Sequence, residues 1–186
     1  SIGTPTYNNG VLPINTNDSY GYSLQIYLKS EIDPNGTMVG SKITKIAFKQ
    51  ANDVVTTRNI VVYMQNTAKE KYTTSAYDWV NEDDSHIVFS GNITTPGKDK
   101  SLEITLDTPL IYTGGGLLIS VLDKTGTDVS QAQFYQYSTS YRSLRISSWV
   151  PAGYVSNPYN PANMRSVEGK QLGQNNTIDI TLETVV

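Results

Sequence analysis

The feature that most constrains this chain is a two-residue rhythm of apolar and polar side chains, broken at short intervals by turn residues. Successive side chains of a strand point to opposite faces, so this rhythm lets a strand bury one face and wet the other. Ser23-Leu24-Gln25-Ile26-Tyr27-Leu28 alternates in this way. So does Ser101-Leu102-Glu103-Ile104-Thr105-Leu106, with Leu102, Ile104 and Leu106 inward. Between Lys42 and Lys49, Ile43 falls on one face and Ile46 and Phe48 on the other, which predicts a bulge or an irregular start. Arg58–Met64 and Leu117–Leu122 are continuous apolar runs and read as central strands covered on both faces. Short segments at His86–Gly91, Gln133–Tyr137, Ser143–Ser147 and Thr177–Leu182 bring the set to about nine to eleven strands. Turn chemistry separates them, as in Asp33-Pro34-Asn35-Gly36, Thr95-Pro96-Gly97-Lys98-Asp99 and Gly114-Gly115-Gly116. No window sustains a helical period, and Thr67–Tyr72 admits one or two helical turns at most. The pattern predicts an all-β fold, a two-sheet antiparallel jelly-roll-like sandwich. With 186 residues, no internal repeat and no linker-like stretch, residues 1–186 read as a single domain. Both chain ends read as strand and are expected to pair with each other or to lie at one edge.

Composition narrows the function. Net charge is −3 and the pI is about 5.1, so the basic surface that dominates nucleic-acid affinity is lacking. There are no cysteines, which excludes disulfides, thiolate metal sites and a Cys nucleophile. The apolar runs fall far short of the roughly 20 residues of a membrane-spanning helix. Ser1 reads as a cut end, so any export signal or lipid anchor would lie upstream. Thirteen tyrosines against three phenylalanines favour half-exposed strands and binding rims, because tyrosine joins a flat apolar face to a hydroxyl.

A run of motifs then carries a resemblance. Gln25–Ile32, Ile43–Phe48, Thr57–Tyr63, Thr67, Lys69, Asp78-Trp79-Val80, Val88–Gly91, Ile104–Pro109 and Asp123–Gly126 occur in this order, with a weaker echo at Arg142-Ser143 and in the final strand. Over residues 14–126 they resemble β-sandwich domains of large surface and adhesion-like proteins of Bacteroides-type bacteria. The resemblance implies a jelly-roll-like module, extracellular or at the cell surface, with neighbouring modules in the same chain. It carries no site residues across. Many such domains place a second acidic residue beside the position of Asp123, where this chain has Leu122.

Candidate chemistry follows from the side chains. The only histidine, His86, lies after Glu82-Asp83-Asp84 and reads as a strand-edge imidazole, and the carboxylates that a glycosidase would need lie mostly in loops or, like Glu103 and Asp179, face outward from strands, so no catalytic residue and no enzyme activity is expected. The stretch Trp149–Pro161 gathers Trp149, Tyr154 and Tyr159 among three prolines, which stiffen the loop and hold its rings before a ligand arrives. A flat ring stacks on the C–H face of a pyranose, while Asn157, Tyr141, Arg142 and Arg145 offer polar groups to its hydroxyls. The expected partner is therefore a polysaccharide or surface glycan. The alternative is a structural spacer, in which the same rings plug the end of the sandwich. Trp79 is expected to pack, with its indole N–H finding a buried acceptor. Tyr135 and Tyr137 form either an exposed platform or core. Calcium is a candidate cofactor, with Asp18, Asp33, Asp83, Asp84, Asp123 and Asp128 as the oxygen ligands on offer and Asp123 and Asp128 foremost, against the simpler reading in which those two cap the turn at Gly126.

Overall fold

A computed structural model of the chain describes residues 1–72, 75–151 and 159–183. Among these residues are ten strands: β1 (Tyr7–Asn9), β2 (Tyr20–Tyr27), β3 (Lys42–Lys49), β4 (Thr57–Thr67), β5 (Ile87–Thr94), β6 (Ser101–Ile111), β7 (Gly116–Asp123), β8 (Phe134–Ser148), β9 (Lys170–Asn176) and β10 (Ile178–Glu183). They form two antiparallel sheets. The larger has seven strands in the order β1-β8-β2-β7-β4-β5, with β9 also on β8, and the smaller runs β10-β3-β6. The fold is an all-β two-sheet sandwich. β9 passes into β10 across Thr177, so one edge of the sandwich is closed by a strand that changes sheet. Ile2 pairs with Ile178 on this side, which brings the two chain ends together as the sequence suggested.

Strand periodicity produces two cores instead of one. In β7, Leu117, Ile119 and Val121 face the small sheet, and Leu118 and Leu122 face away. In β4, Ile60, Val62 and Met64 face inward, while Val61 and Tyr63 face outward. The inner core lies between the sheets and includes Tyr27, Ile46, Phe48 and Ile104. The outer core lies on the far face of the large sheet, where Tyr22, Leu24 and Ile26 meet side chains from two long connections: Tyr72 and Trp79 from one, Tyr159 and Met164 from the other. The continuous apolar runs read as central strands are therefore covered on both faces, one by a sheet and the other by loops.

Local details follow or correct the sequence reading. The irregularity in β3 is present, as a register shift against β6 between Ile43 and Lys45. The α-helix is a single turn at Lys29–Ile32, and residues 67–72 form no helix. In place of that helix, a backbone N–H at Tyr72 donates to Tyr141 O at 2.5 Å and pins the segment to β8. β5 continues through Gly91 to Thr94, because Gly91 adopts φ +156° and keeps its pairing with Ile60. Phe134–Tyr137 and Ser143–Ser147 belong to one strand, β8, which passes through Tyr141 at φ +54° while its pairing with β9 slips between Ser138 and Ser143.

Candidate glycan-binding surface

The residues expected to form one site are distributed over three places. Tyr141 lies in the middle of β8 and is 49% exposed. Its neighbour Arg142 is turned to the helical turn, where both guanidinium ends meet the Glu31 carboxylate, Nη2 to Oε2 at 3.3 Å. Burial alone would raise the Glu31 carboxyl. The hydrogen bonds from Arg142, Tyr137 and the Leu28 N–H outweigh it and hold the group below its ordinary value. Tyr137 donates to Glu31 Oε2 at 2.6 Å and is core, so of the proposed tyrosine pair only Tyr135 reaches the surface. Arg142 is thus committed to an internal ion pair, a correction to its expected part in ligand contact. Tyr159 is 8% exposed and packs in the outer core, which is the plugging role. Tyr154 and Asn157 lie outside the described residues.

Trp149 is different. It follows β8 directly, and it is 59% exposed. Its flanks are fixed: Ser19 N–H donates to Ser148 O at 3.1 Å, Val150 N–H donates to Ser19 Oγ at 3.1 Å, and that hydroxyl donates to Val150 O at 3.2 Å. The indole N–H donates to Asp128 Oδ1 at 3.1 Å. Asp128 is itself on a braced loop, since Val129 N–H reaches Thr16 O at 2.9 Å and Thr16 Oγ1 reaches Ser130 O at 2.8 Å. The ring is therefore held at its edge while most of its surface meets water.

A polar row adjoins this anchor. In β8, Leu144 and Ile146 turn to the outer core, which leaves Arg145 and Ser147 on the opposite side. There Ser147 Oγ donates to Asp18 Oδ2 at 2.5 Å, Asn15 Nδ2 donates to the same oxygen at 3.1 Å, and Arg145 Nη1 lies 3.4 Å from Ser147 Oγ. Desolvation pulls the Arg145 guanidinium down from its ordinary value, opposed by the Asp18 carboxylate. Asn15, Asp18 and Ser147 carry no sequence signal that marks them as partners of one another. They become so only through the pairing of β2 with β8.

The acidic residues take structural partners. Asp123 Oδ2 receives Arg58 Nε at 2.8 Å and lies 2.7 Å from Arg58 Nη2, and its Oδ1 accepts from Thr125 Oγ1 at 2.5 Å and Thr125 N–H at 3.1 Å. Burial pushes the Asp123 carboxyl up, and Arg58 and Thr125 pull it back. The buried guanidinium supplies the positive charge that a calcium ion would bring, and Asp128 is turned to the indole. Each of the two carboxylates thus has a protein partner of its own, and among the described residues no group of three or more His, Cys, Asp or Glu is placed to hold a metal ion. The turn reading of Asp123 fits these contacts.

His86 Nδ1 lies 2.7 Å from Glu82 Oε2, and Ser120 Oγ donates to Glu82 Oε1 at 2.8 Å. The carboxylate therefore stands between hydroxyl and imidazole, whereas nucleophilic activation needs the imidazole between hydroxyl and carboxylate. Burial raises the Glu82 carboxyl, with Ser120, Gln65 and His86 opposing. This cluster ties the loop before β5 to the outer face of β4 and β7.

No protein-family model matches the chain, and no curated protein or solved structure matches it. No helix among the described residues is long and apolar enough to cross a membrane.

Proposed function

We propose that this chain is a non-catalytic adhesion or glycan-binding module of jelly-roll-like build, presented outside the cell, with Trp149 as its sugar-stacking surface. The observation that carries the reading is an indole 59% exposed yet fixed at its N–H by Asp128 and at both flanks by Ser19. An exposed aromatic that is already ordered loses little freedom when a ligand stacks on it. Asp128, within hydrogen-bond distance of the indole, sets a carboxylate beside the ring for the hydroxyl groups of a sugar. The extracellular placement rests on the resemblance of residues 14–126 to surface modules. The spacer alternative is favoured by a different observation, the burial of Tyr159 against the large sheet.

A glycan array probed with wild type and Trp149→Ala separates the two. The binding reading expects a neutral oligosaccharide retained by wild type and weakened about tenfold or more by the variant, with thermal stability unchanged. Equal binding by both proteins removes Trp149 from the site. No glycan retained by wild type leaves the spacer.

A further inference from the structure

A second aromatic surface lies at the opposite end of β8 from Trp149. β1 pairs there with the start of β8, Tyr7 opposite Gln136 and Asn8 opposite Tyr135. Pro5, Thr6, Tyr7, Asn8 and Tyr135 line a groove of about 430 Å³, enough for one or two sugar rings. Tyr7 is 49% exposed.

Tyr135 is held by groups outside the groove. Its hydroxyl donates to Asp99 Oδ1 at 2.8 Å, and Lys49 Nζ lies 5.8 Å from the ring centroid. Asp99 reaches the hydroxyl from a left-handed backbone, φ +61°, a conformation uncommon outside glycine. The turn that imposes it is tied down: Asp99 N–H donates to Gln50 O at 2.8 Å, Gln50 N–H to Lys100 O at 2.9 Å, and Lys100 N–H to Gly97 O at 3.2 Å.

The charges around this tyrosine give the class of ligand. Lys98 and Lys100 flank Asp99, and Lys49 stands over the ring; all three lysines are exposed. Two carboxylates lie among them and keep their charge, Asp99, which accepts from the Tyr135 hydroxyl, and Asp179, which accepts from the Ser1 hydroxyl, and the three lysines outnumber them. A chain of net charge −3 thus has a locally cationic corner beside an aromatic groove. We propose that the Tyr7–Tyr135 groove binds an anionic pyranose, the ring stacking on tyrosine and its carboxylate or sulfate meeting the lysines. The inference takes glycan binding from the reading above but uses none of the residues around Trp149.

Calorimetric titration with an oligogalacturonate, a heparin-derived oligosaccharide and a neutral cello-oligosaccharide tests it. The variants are Tyr7→Ala/Tyr135→Ala, Lys49→Gln/Lys98→Gln/Lys100→Gln and Trp149→Ala. The expected result is that wild type binds one of the acidic ligands, and the one bound tells carboxylate from sulfate. The tyrosine and lysine variants should each weaken it about tenfold or more, while Trp149→Ala leaves it unchanged. Tyr135→Phe, which removes only the contact with Asp99, guards against misfolding of the double variant and should weaken binding by less. The inference is overturned if neither acidic ligand binds, or if binding survives the tyrosine variants and so reflects charge alone. Neutral binding lost in Trp149→Ala would then leave the Trp149 reading standing by itself.

Discussion

Asp123 and Glu82 are both buried carboxylates, and their partner sets give them opposite consequences. Asp123 faces a guanidinium with no exposure of its own, and Arg58 also donates from Nη1 to Thr127 O and from Nη2 to Asp18 O, each at 2.7 Å. Removing either partner strands a buried charge, so Arg58→Met or Asp123→Ala alone should cost about 3–5 kcal/mol in urea unfolding. The double variant Arg58→Met/Asp123→Leu should recover much of that loss. A loss that simply adds in the double variant would show that the pair is not the source. Glu82 has no buried cation, only Ser120, Gln65 and the half-exposed His86, and its carboxyl is raised above 4.5. The folded state then binds the proton more tightly than the unfolded chain, so Glu82 weakens the fold as pH rises through its folded value. Wild type should therefore gain stability relative to Glu82→Gln as pH falls from neutral towards 4.5. Chemical unfolding across that range reads the difference, and a gap that widens in the other direction would contradict the assignment.

At the scale of elements, the two long connections behave as a third layer. Trp79 stacks on Tyr22 with ring centroids 5.5 Å apart, and its indole N–H donates to Val167 O at 2.7 Å. Gly169 permits this approach: a Cβ there would lie 2.5 Å from Trp79 Cζ2 and 3.0 Å from Leu144 Cδ1. Gly169→Ala should therefore destabilise by about 1–3 kcal/mol and raise the exposure of Trp79, read by its fluorescence. An unchanged emission and midpoint would mean that the loop yields freely. Most strands were legible from alternation because their two faces meet different surroundings. β1 (Tyr-Asn-Asn) and β9 (Lys-Gln-Leu-Gly-Gln-Asn-Asn) were not, since they carry almost no apolar side chains and owe their place to backbone pairing with β8. The candidate site was legible in part. Trp149 stands in the stretch that aromatic and proline content singled out, but no periodicity in that stretch tells which ring turns in and which turns out. Trp149 went to solvent and Tyr159 to the sheet. The pairing of Arg58 with Asp123 bridges 65 residues and follows from strand order, which local pattern does not encode.

For the molecule as a whole, β2, β7 and β4 are the interior. They are paired on both edges and covered on both faces, and amides in such a place open only with global unfolding. Hydrogen exchange should be slowest in Leu117–Leu122 and Ile60–Met64 and fastest in β1 and at the far end of β10. Protection in β1 equal to that in β7 would contradict this order.

Among the described residues, the central strands of the broad sheet are sealed by a second sheet on one side and by folded-down loops on the other. What that sheet still offers to solvent lies towards its border, on side chains that bear little of the framework's weight. Such a border is free to change its chemical preferences residue by residue while the hydrogen-bonded interior stays as it is.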